Sequence, residues 1–381
     1  MDSSPREQLQ SNCADYRVLN LTNELEASAW LWGPLEDLFF TVVLPCIMLI
    51  GFVGNVSFLL AVIRVRDMQT ITNAYLANVA FADFLFVVYS CAIYLSTYLL
   101  TPVRNDVPYR SNVGCICSFG MIYLTYFASL NLITFVTVER YFAVCRPFQH
   151  LMVSGKSRTI KFIIASWVIG IIFIALIIPR HAGYFTFCVN WPKQEEYLSF
   201  PKLIQFCDTI HPDVYILSEA CQTGPFFIAM IINLYMYTRI ITTLNNRPAA
   251  KSESSQHSDH ADAQQKQTTR VRNQVARLLI INGTIFFLSQ FPYRILSINN
   301  ILQQAIGIGF LDRQQYGMFL VISRCLILIN SCANPMVYVT TSEFYRKGFK
   351  MAFECKNKTL STNSSHAKSM IASISSQRGD N

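Results

Sequence analysis

Seven long apolar runs, at 38–65, 73–100, 112–144, 160–179, 213–242, 274–302 and 316–340, leave this chain few ways to fold. A helix of about 20 mostly apolar residues crosses the hydrocarbon core of a bilayer, and every run is at least that long. Lipid offers the backbone no hydrogen-bond partner, so such runs must satisfy their own N–H and C=O groups as helices. Composition agrees. Of 381 residues 52% are hydrophobic and 14% charged, against about 25% charged in soluble domains, and the mean hydropathy is +0.31. The length would fit two or three soluble domains, but the distribution of apolar residues does not. The expected fold class is an all-α membrane protein, a seven-transmembrane helix bundle.

The net charge of +8 is spread over short segments between the runs. That suits a membrane-topology signal better than a phosphate-binding face, so nucleic acid is not an expected partner. Arg64 and Arg66 follow the first run. Arg146, Lys156, Arg158 and Lys161 follow the third, and Arg247, Lys251, Lys266, Arg270 and Arg272 the fifth. Arg346, Lys347, Lys350, Lys356 and Lys358 follow the seventh. These segments are expected in the cytosol, which puts segment 1–37 outside. Segment 1–37 has no apolar h-region, so the first run is expected to act as the targeting signal. Asn20, in Asn20-Leu21-Thr22, is then a reachable glycosylation site. Asn55 and Asn282 match the same pattern inside spans, and Asn363 in the cytosol, so they are discounted. Residues 245–267 read as a flexible loop. Residues 341–355 read as a short amphipathic eighth helix on the inner leaflet, with Cys355 a palmitoylation candidate or a plain thiol. Residues 356–381 read as a disordered tail.

Most of the twelve cysteines, such as Cys46, Cys91, Cys145, Cys221, Cys325 and Cys332, sit singly in apolar runs and read as packing. Cys13, Cys115, Cys188 and Cys207 lie at the outer boundary and are disulfide candidates. No paired CxxC suggests zinc, and no nucleophile–base set or phosphate loop suggests an enzyme.

Ionisable and amide side chains inside the runs are functional candidates by default. The second carries Asp83, the third ends Glu139-Arg140-Tyr141, the fifth has Glu219, the sixth Arg294 and the seventh Arg324. The seventh also holds Asn330, Ser331, Asn334 and Pro335, then Tyr338. With GNV at 54–56, Asp83 in LANVAFADF, Trp167, Pro225, Pro292, ERY at 139–141 and NPMVY at 334–338, the chain resembles rhodopsin-type (class A) G-protein-coupled receptors over about 38–355. VGCIC at 113–117, QVARLL at 274–279, FPYR at 291–294 and SRCLILINSCANP at 323–335 make it similar to neuropeptide receptors of the thyrotropin-releasing-hormone type.

The resemblance implies a receptor for an extracellular peptide, by subgroup a small C-terminally amidated one, signalling through heterotrimeric G proteins of the Gq type. Arrestin and receptor kinases are implied as partners, and the plasma membrane as location. It implies a bridge between Cys115 and Cys188. It implies a sodium ion held by Asp83, Ser129, Asn330, Ser331 and Asn334, with a hydrated polar network as the plainer reading. Glu139, Arg140, Tyr141, Gln290, Pro292, Asn334, Pro335 and Tyr338 are the implied activation residues, with Arg140 pairing with Glu139 in the inactive state. Tyr123, Tyr126, Tyr293, Arg294 and Arg324 are the expected ligand contacts. A buried guanidinium needs an acceptor, and for Arg324 that is a ligand oxygen or an internal group such as Glu219. Ile122 offers no counter-ion for a small amine, and Leu328 no lysine for a Schiff base. Phe127 replaces an amide usual in the subgroup, which argues against a pyroglutamyl head group. Gln290 replaces the usual tryptophan, and Arg272 stands where an acidic latch is common. Together they point to altered or raised basal signalling. Asn233 stands where a tyrosine is usual, with Tyr235 nearby. A non-signalling scavenger is the alternative, and a transporter is disfavoured because no internal repeat is visible.

Overall fold

The computed structural model describes residues 13, 16–104, 106–153, 155–246 and 259–354, without side-chain detail at 153, 212, 259–272, 313 and 314. Among the described residues, seven helices are long and apolar enough to cross a membrane. They are α1 Pro34–Arg64, α2 Ile71–Leu100, α3 Asn112–Cys145, α4 Lys156–Ile177, α5 Pro212–Asn245, α6 Asp259–Ile306 and α7 Arg313–Thr341. An eighth, α8 Glu343–Phe353, follows after Ser342.

Local chemistry sets several of the starts. Thr70 caps α2 by accepting from Asn73 N, and Ser111 caps α3 by accepting from Gly114 N. Asp312 and Gln315 form a reciprocal capping box on α7. The expected runs were right in number and order, but most were short at the ends. α1 begins at Pro34 rather than 38, because Glu36 accepts from Gly33 N and holds the turn ahead of the apolar run. α6 extends down to Asp259, so part of the segment expected to be a flexible loop is helical. Residues 247–258 of that loop, Cys355 and the tail 356–381 lie outside the described residues.

α3 touches α2, α4, α5 and α6 and is the axis of the bundle. α3 and α6 are the most buried spans and α4 the least. Aliphatic side chains such as Leu49, Ile164, Ile231 and Leu288 stand 56–68% exposed around the bundle. That belt is a lipid face, since water would penalise so much bare hydrocarbon. α8 lies against α1 and closes one end of the bundle. Tyr345 is fully buried, donates to Asn73 Oδ1 at 2.6 Å and stacks on Tyr338.

The opposite end carries a three-stranded sheet that periodicity did not reveal. β1 Arg17–Asn20 pairs parallel with β2 Gly183–Asn190, which pairs antiparallel with β3 Leu203–Asp208. Leu21, Val103, Val189, Tyr197 and Ile204 form a small core beneath it, flanked by Trp30, Phe187, Trp191 and Phe206. The bridge expected between Cys115 and Cys188 is not formed. Cys115 bonds Cys207 on β3, and Cys188 on β2 bonds Cys13. The antiparallel register explains the exchange. Cys207 pairs with Tyr184 near one end of β2, while Cys188 lies four residues further along and level with β1. The N-terminal segment is therefore stitched to the loop between α4 and α5.

Candidate functional site

A cavity of about 570 Å³ opens beneath the sheet and runs down between α2, α3, α6 and α7. Tyr123, Tyr126, Tyr293, Arg294 and Arg324, the five expected ligand contacts, all line it, as do Ile122 and Leu328. The spacing is helical: Ile122 and Tyr126 lie one turn apart on α3, as do Arg324 and Leu328 on α7. Phe127 faces elsewhere, fully buried with its ring stacked on Phe173 at 4.5 Å.

The three guanidiniums of the cavity differ in how they are held. Arg294 is buried and lies 4.5 Å from the centre of the Tyr126 ring, with Tyr293 and Phe226 alongside. It donates to Gln222 O at 3.2 Å and to Gln290 Oε1 at 3.3 Å. Arg180, which the sequence reading passed over, pairs with Glu219, stacks on Tyr215 and donates to its hydroxyl at 3.2 Å. Ser297 also donates to Glu219, and Thr223 donates to Ser297 at 2.6 Å. Glu219 is thereby committed and is not the internal partner of Arg324. Arg324 is half-buried against the Tyr94 face at 5.1 Å, and no carboxylate pairs with it among the described residues. The ring supplies a cation–π contact worth about 0.5–2 kcal/mol and leaves the guanidinium donors facing the cavity.

Tyr123 meets His181 just past α4, its hydroxyl 3.0 Å from Nε2, and Phe119 stacks on the imidazole at 3.9 Å. Burial first, and then the Arg180 charge, push the His181 pKa well below the usual histidine range. Histidine here is a neutral hydrogen-bonding wall. Trp30, Trp32, Phe187 and Phe206 form the mouth. Trp32 is fixed by donation to Thr101 O at 2.9 Å, and Arg104 pairs with Glu36 at 2.7 Å beside it. Arg180 directly follows the fourth apolar run, and a polar group at such an end was the available signal for it. Trp30 and Trp32 lie six to eight residues ahead of the first run, where no pattern marked them.

The cavity reaches down to Asp83, Ser129, Asn330 and Ser331. Asn334 Nδ2 donates to Asp83 Oδ2 at 2.6 Å, and Ser331 is its second hydrogen-bond partner. Asn55 Nδ2 donates to the Ser331 carbonyl at 2.9 Å. Asn330 Oδ1 is buried with no hydrogen-bond partner among the described residues. One carboxylate, hydroxyls and an orphaned carbonyl oxygen form the donor set that a hard cation takes, so these residues fit a sodium ion. Bound there, sodium would neutralise Asp83 and link α2, α3 and α7.

At the α8 end, Glu139 stands 3.7 Å from Arg158 and 3.6 Å from His150, partners that the sequence reading did not name. Tyr141 joins Val144, Ile240, Ala276 and Ile280 where α3, α5 and α6 meet. Tyr338 is buried between Phe58 and Tyr345. Pro225, Pro292 and Pro335 interrupt α5, α6 and α7. Asn233 donates to Thr134 Oγ1 at 3.0 Å. The tyrosine that turns inward is not Tyr235, which is 58% exposed, but Tyr237, one turn beyond Asn233, whose hydroxyl accepts from Thr137 at 3.4 Å. It fits because Gly283 on α6 lacks a Cβ, which would overlap the phenol. The side chain of Arg272 is outside the described set. Asn20 is exposed on β1, with Oδ1 accepting from Asn190 at 2.7 Å, whereas Asn55 and Asn282 are buried.

Comparison with known proteins accords with this geometry. The chain is 28% identical over 346 residues to the thyrotropin-releasing hormone receptor of Homo sapiens, covering 85% of this chain and 80% of that protein. It is 27% identical to the Bos taurus counterpart, covering 89% and 84%. It is 25% identical to galanin receptor 2b of Danio rerio, covering 83% and 75%. Residues 54–338 match the 7 transmembrane receptor (rhodopsin family) profile. That match spans α1 to α7 and includes Asp83, Arg140 and Tyr338, so this chain belongs to the rhodopsin family, the class A G-protein-coupled receptors, which are receptors and not enzymes.

Proposed function

We propose that the chain is a plasma-membrane receptor for an extracellular peptide, a small C-terminally amidated one, and that it activates heterotrimeric G proteins of the Gq type. The observation that carries this reading is Arg324, a guanidinium with an aromatic backing and no carboxylate, aimed into a cavity walled by Tyr123, Tyr126 and Tyr293. Such a group is satisfied by a carbonyl oxygen from outside the protein. The relatives' names, as receptors for thyrotropin-releasing hormone and galanin, point the same way. In this reading the sheet end faces outward, with a glycan on Asn20, and the α8 end faces the cytosol, with Cys355 acylated. Arg140, Tyr141 and Tyr338 serve G-protein engagement, and arrestin and receptor kinases act on the same end. A sodium ion at Asp83 favours the inactive state.

The test is a calcium-flux screen of cells expressing the chain against amidated peptides with free-acid controls. An amidated hit whose half-maximal concentration rises at least about tenfold in Arg324→Gln is expected, since a lost charge-assisted hydrogen bond is worth about 1.5–3 kcal/mol. Failure of every peptide, or an unchanged Arg324→Gln response, counts against the reading. The hydrogen bond of Gln290 to Arg294 gives raised basal signalling a physical basis, because it replaces apolar packing at the centre of α6. Ligand-free second-messenger output should then drop in Gln290→Trp, and equal low baselines would remove the idea.

A further inference from the structure

Arg324 stands between two cavities. Beside the main one, a side pocket of about 220 Å³ lies between α7 and the start of α1. Trp30, Trp32, Phe40, Tyr316, Leu320 and Arg324 line both, so the two adjoin at the Arg324 guanidinium. Gly317, Leu320, Val321 and Arg324 recur at steps of three and four residues and form one stripe of α7. Gly317 and Val321 line the side pocket and not the main cavity.

The walls of the side pocket are aromatic and braced. Trp32 is held by its hydrogen bond to Thr101 O and meets Phe40 edge-on at 5.0 Å, and Phe39 meets Phe40 in the same way at 5.1 Å. Phe40 also stacks on Tyr98 at 4.8 Å. A site ordered before its ligand arrives loses less entropy on binding. Glu36 and Arg104, the charged groups of the wall besides Arg324, pair with each other. Beyond Arg324 the pocket therefore offers no unbalanced charge to an acidic or basic side chain. Gly317 leaves its α7 side open, since a Cβ there would meet only Arg104 Nη1, at 3.8 Å. The Gly317 backbone is helical, and glycine inside a helix is less stable than alanine, so no backbone requirement explains it.

We propose that the side pocket is a specificity subsite for an aromatic side chain, borne by the ligand residue whose carbonyl Arg324 holds. A residue's carbonyl and its side chain leave the same Cα, so a unit fixed at Arg324 roots its side chain where the two cavities adjoin. The rings of Trp30, Trp32, Phe39, Phe40 and Tyr316 surround that space, and edge-to-face contacts favour a ring over an aliphatic group of the same size. The ligand class narrows to a peptide amide whose last residue is aromatic. The proposal rests on reading Arg324 as the anchor of an amidated ligand, but its test begins with single amino-acid amides.

The test is thermal unfolding of the purified full-length receptor in detergent, titrated with N-acetylphenylalaninamide, N-acetylcyclohexylalaninamide and N-acetylalaninamide. All three should raise the unfolding midpoint saturably. The alanine amide should need at least about tenfold more ligand than the phenylalanine amide, the difference that burying one ring makes. The cyclohexyl amide should need about threefold more. Gly317→Leu fills the side pocket from a position that does not line the main cavity. It should lower the phenylalanine amide to the affinity of the alanine amide and leave the alanine amide unchanged. Val321→Phe fills the pocket from the next turn and should do the same, which covers a failure of the first variant to fold. Arg324→Gln should weaken the phenylalanine and alanine amides alike. No shift with any amide, or equal affinity of the phenylalanine and alanine amides in wild type, overturns the proposal. So does a cyclohexyl amide that binds as well as the aromatic one, or a ring preference that survives in either folded variant. In the calcium screen, hits led by amidated peptides with a small last residue would overturn the subsite and leave the receptor reading standing. A chain that answers no peptide, yet shows the ring preference and loses it in Gly317→Leu, would overturn the peptide reading alone.

Discussion

Arg180 and Arg324 carry the same group into the same cavity, and their surroundings give them different work. Arg180 is neutralised by Glu219 and braced by Tyr215, so it is part of the wall. Arg324 has only the Tyr94 ring, so its donors are available. The sequence showed Arg324 because it interrupts an apolar run. It hid Arg180, which closes one, and it could not say which cation Glu219 would choose. Tyr237 was hidden for a similar reason, since α5 carries several aromatics and only packing against Gly283 singles it out. Gly283→Ala should therefore lower stability by about 1–3 kcal/mol, as overpacking does. The drop in unfolding midpoint should be recovered by adding Tyr237→Leu, and an unchanged midpoint in the single variant would refute the packing. His181 provides a pH signature. Its folded pKa is depressed by burial and Arg180, while the unfolded imidazole titrates near ~6.5. Below that value the unfolded chain binds a proton that the folded chain refuses, so stability falls as pH falls and is level above it. Unfolding midpoints measured across this range should show that slope in wild type and a weaker one in His181→Gln.

At the scale of elements, the seven spans were legible because twenty apolar residues have one outcome in lipid. α8 was legible because aromatic and basic residues alternate along it, and Phe344 and Phe349 both pack on the α8-end core while Phe353 stays exposed. The sheet was not, because β1 has only four residues and gains its stability from a partner more than 160 residues away in sequence. Short strands of this kind are stabilised by tertiary contact rather than by a local pattern. The disulfide exchange follows from the sheet, since Cys115–Cys207 holds β3 to α3 while Cys13–Cys188 draws the N-terminal segment over the mouth. Proteolysis without reduction, followed by mass spectrometry, should recover Cys115 linked to Cys207 and Cys13 linked to Cys188. Recovery of Cys115 linked to Cys188 would refute the register. Replacing Cys13 with serine should cost about 2–4 kcal/mol, the usual worth of a bridge that closes a long loop.

For the whole molecule, a cavity walled mostly by apolar side chains descends from the sheet end to a polar cluster inside a hydrocarbon-coated bundle. It begins under the aromatic mouth, passes Arg324 and Gln290, and reaches Asp83 and Asn334. Asn334 lies in the same turn of α7 as Tyr338, which contacts α1 and α8. Motifs in the sequence located both ends of this path. Gln290 lines it between the two, its Oε1 accepting from Arg294 in a hydrogen bond that no motif encodes. Signalling along it requires the mouth to face the exterior and Arg140 the cytosol. Epitope tags at the two termini of the expressed chain, probed with antibody before and after permeabilising cells, test this most directly. The N-terminal tag should stain on intact cells and the C-terminal tag only after permeabilisation. Staining of both tags on intact cells, or of the C-terminal tag alone, would contradict the account.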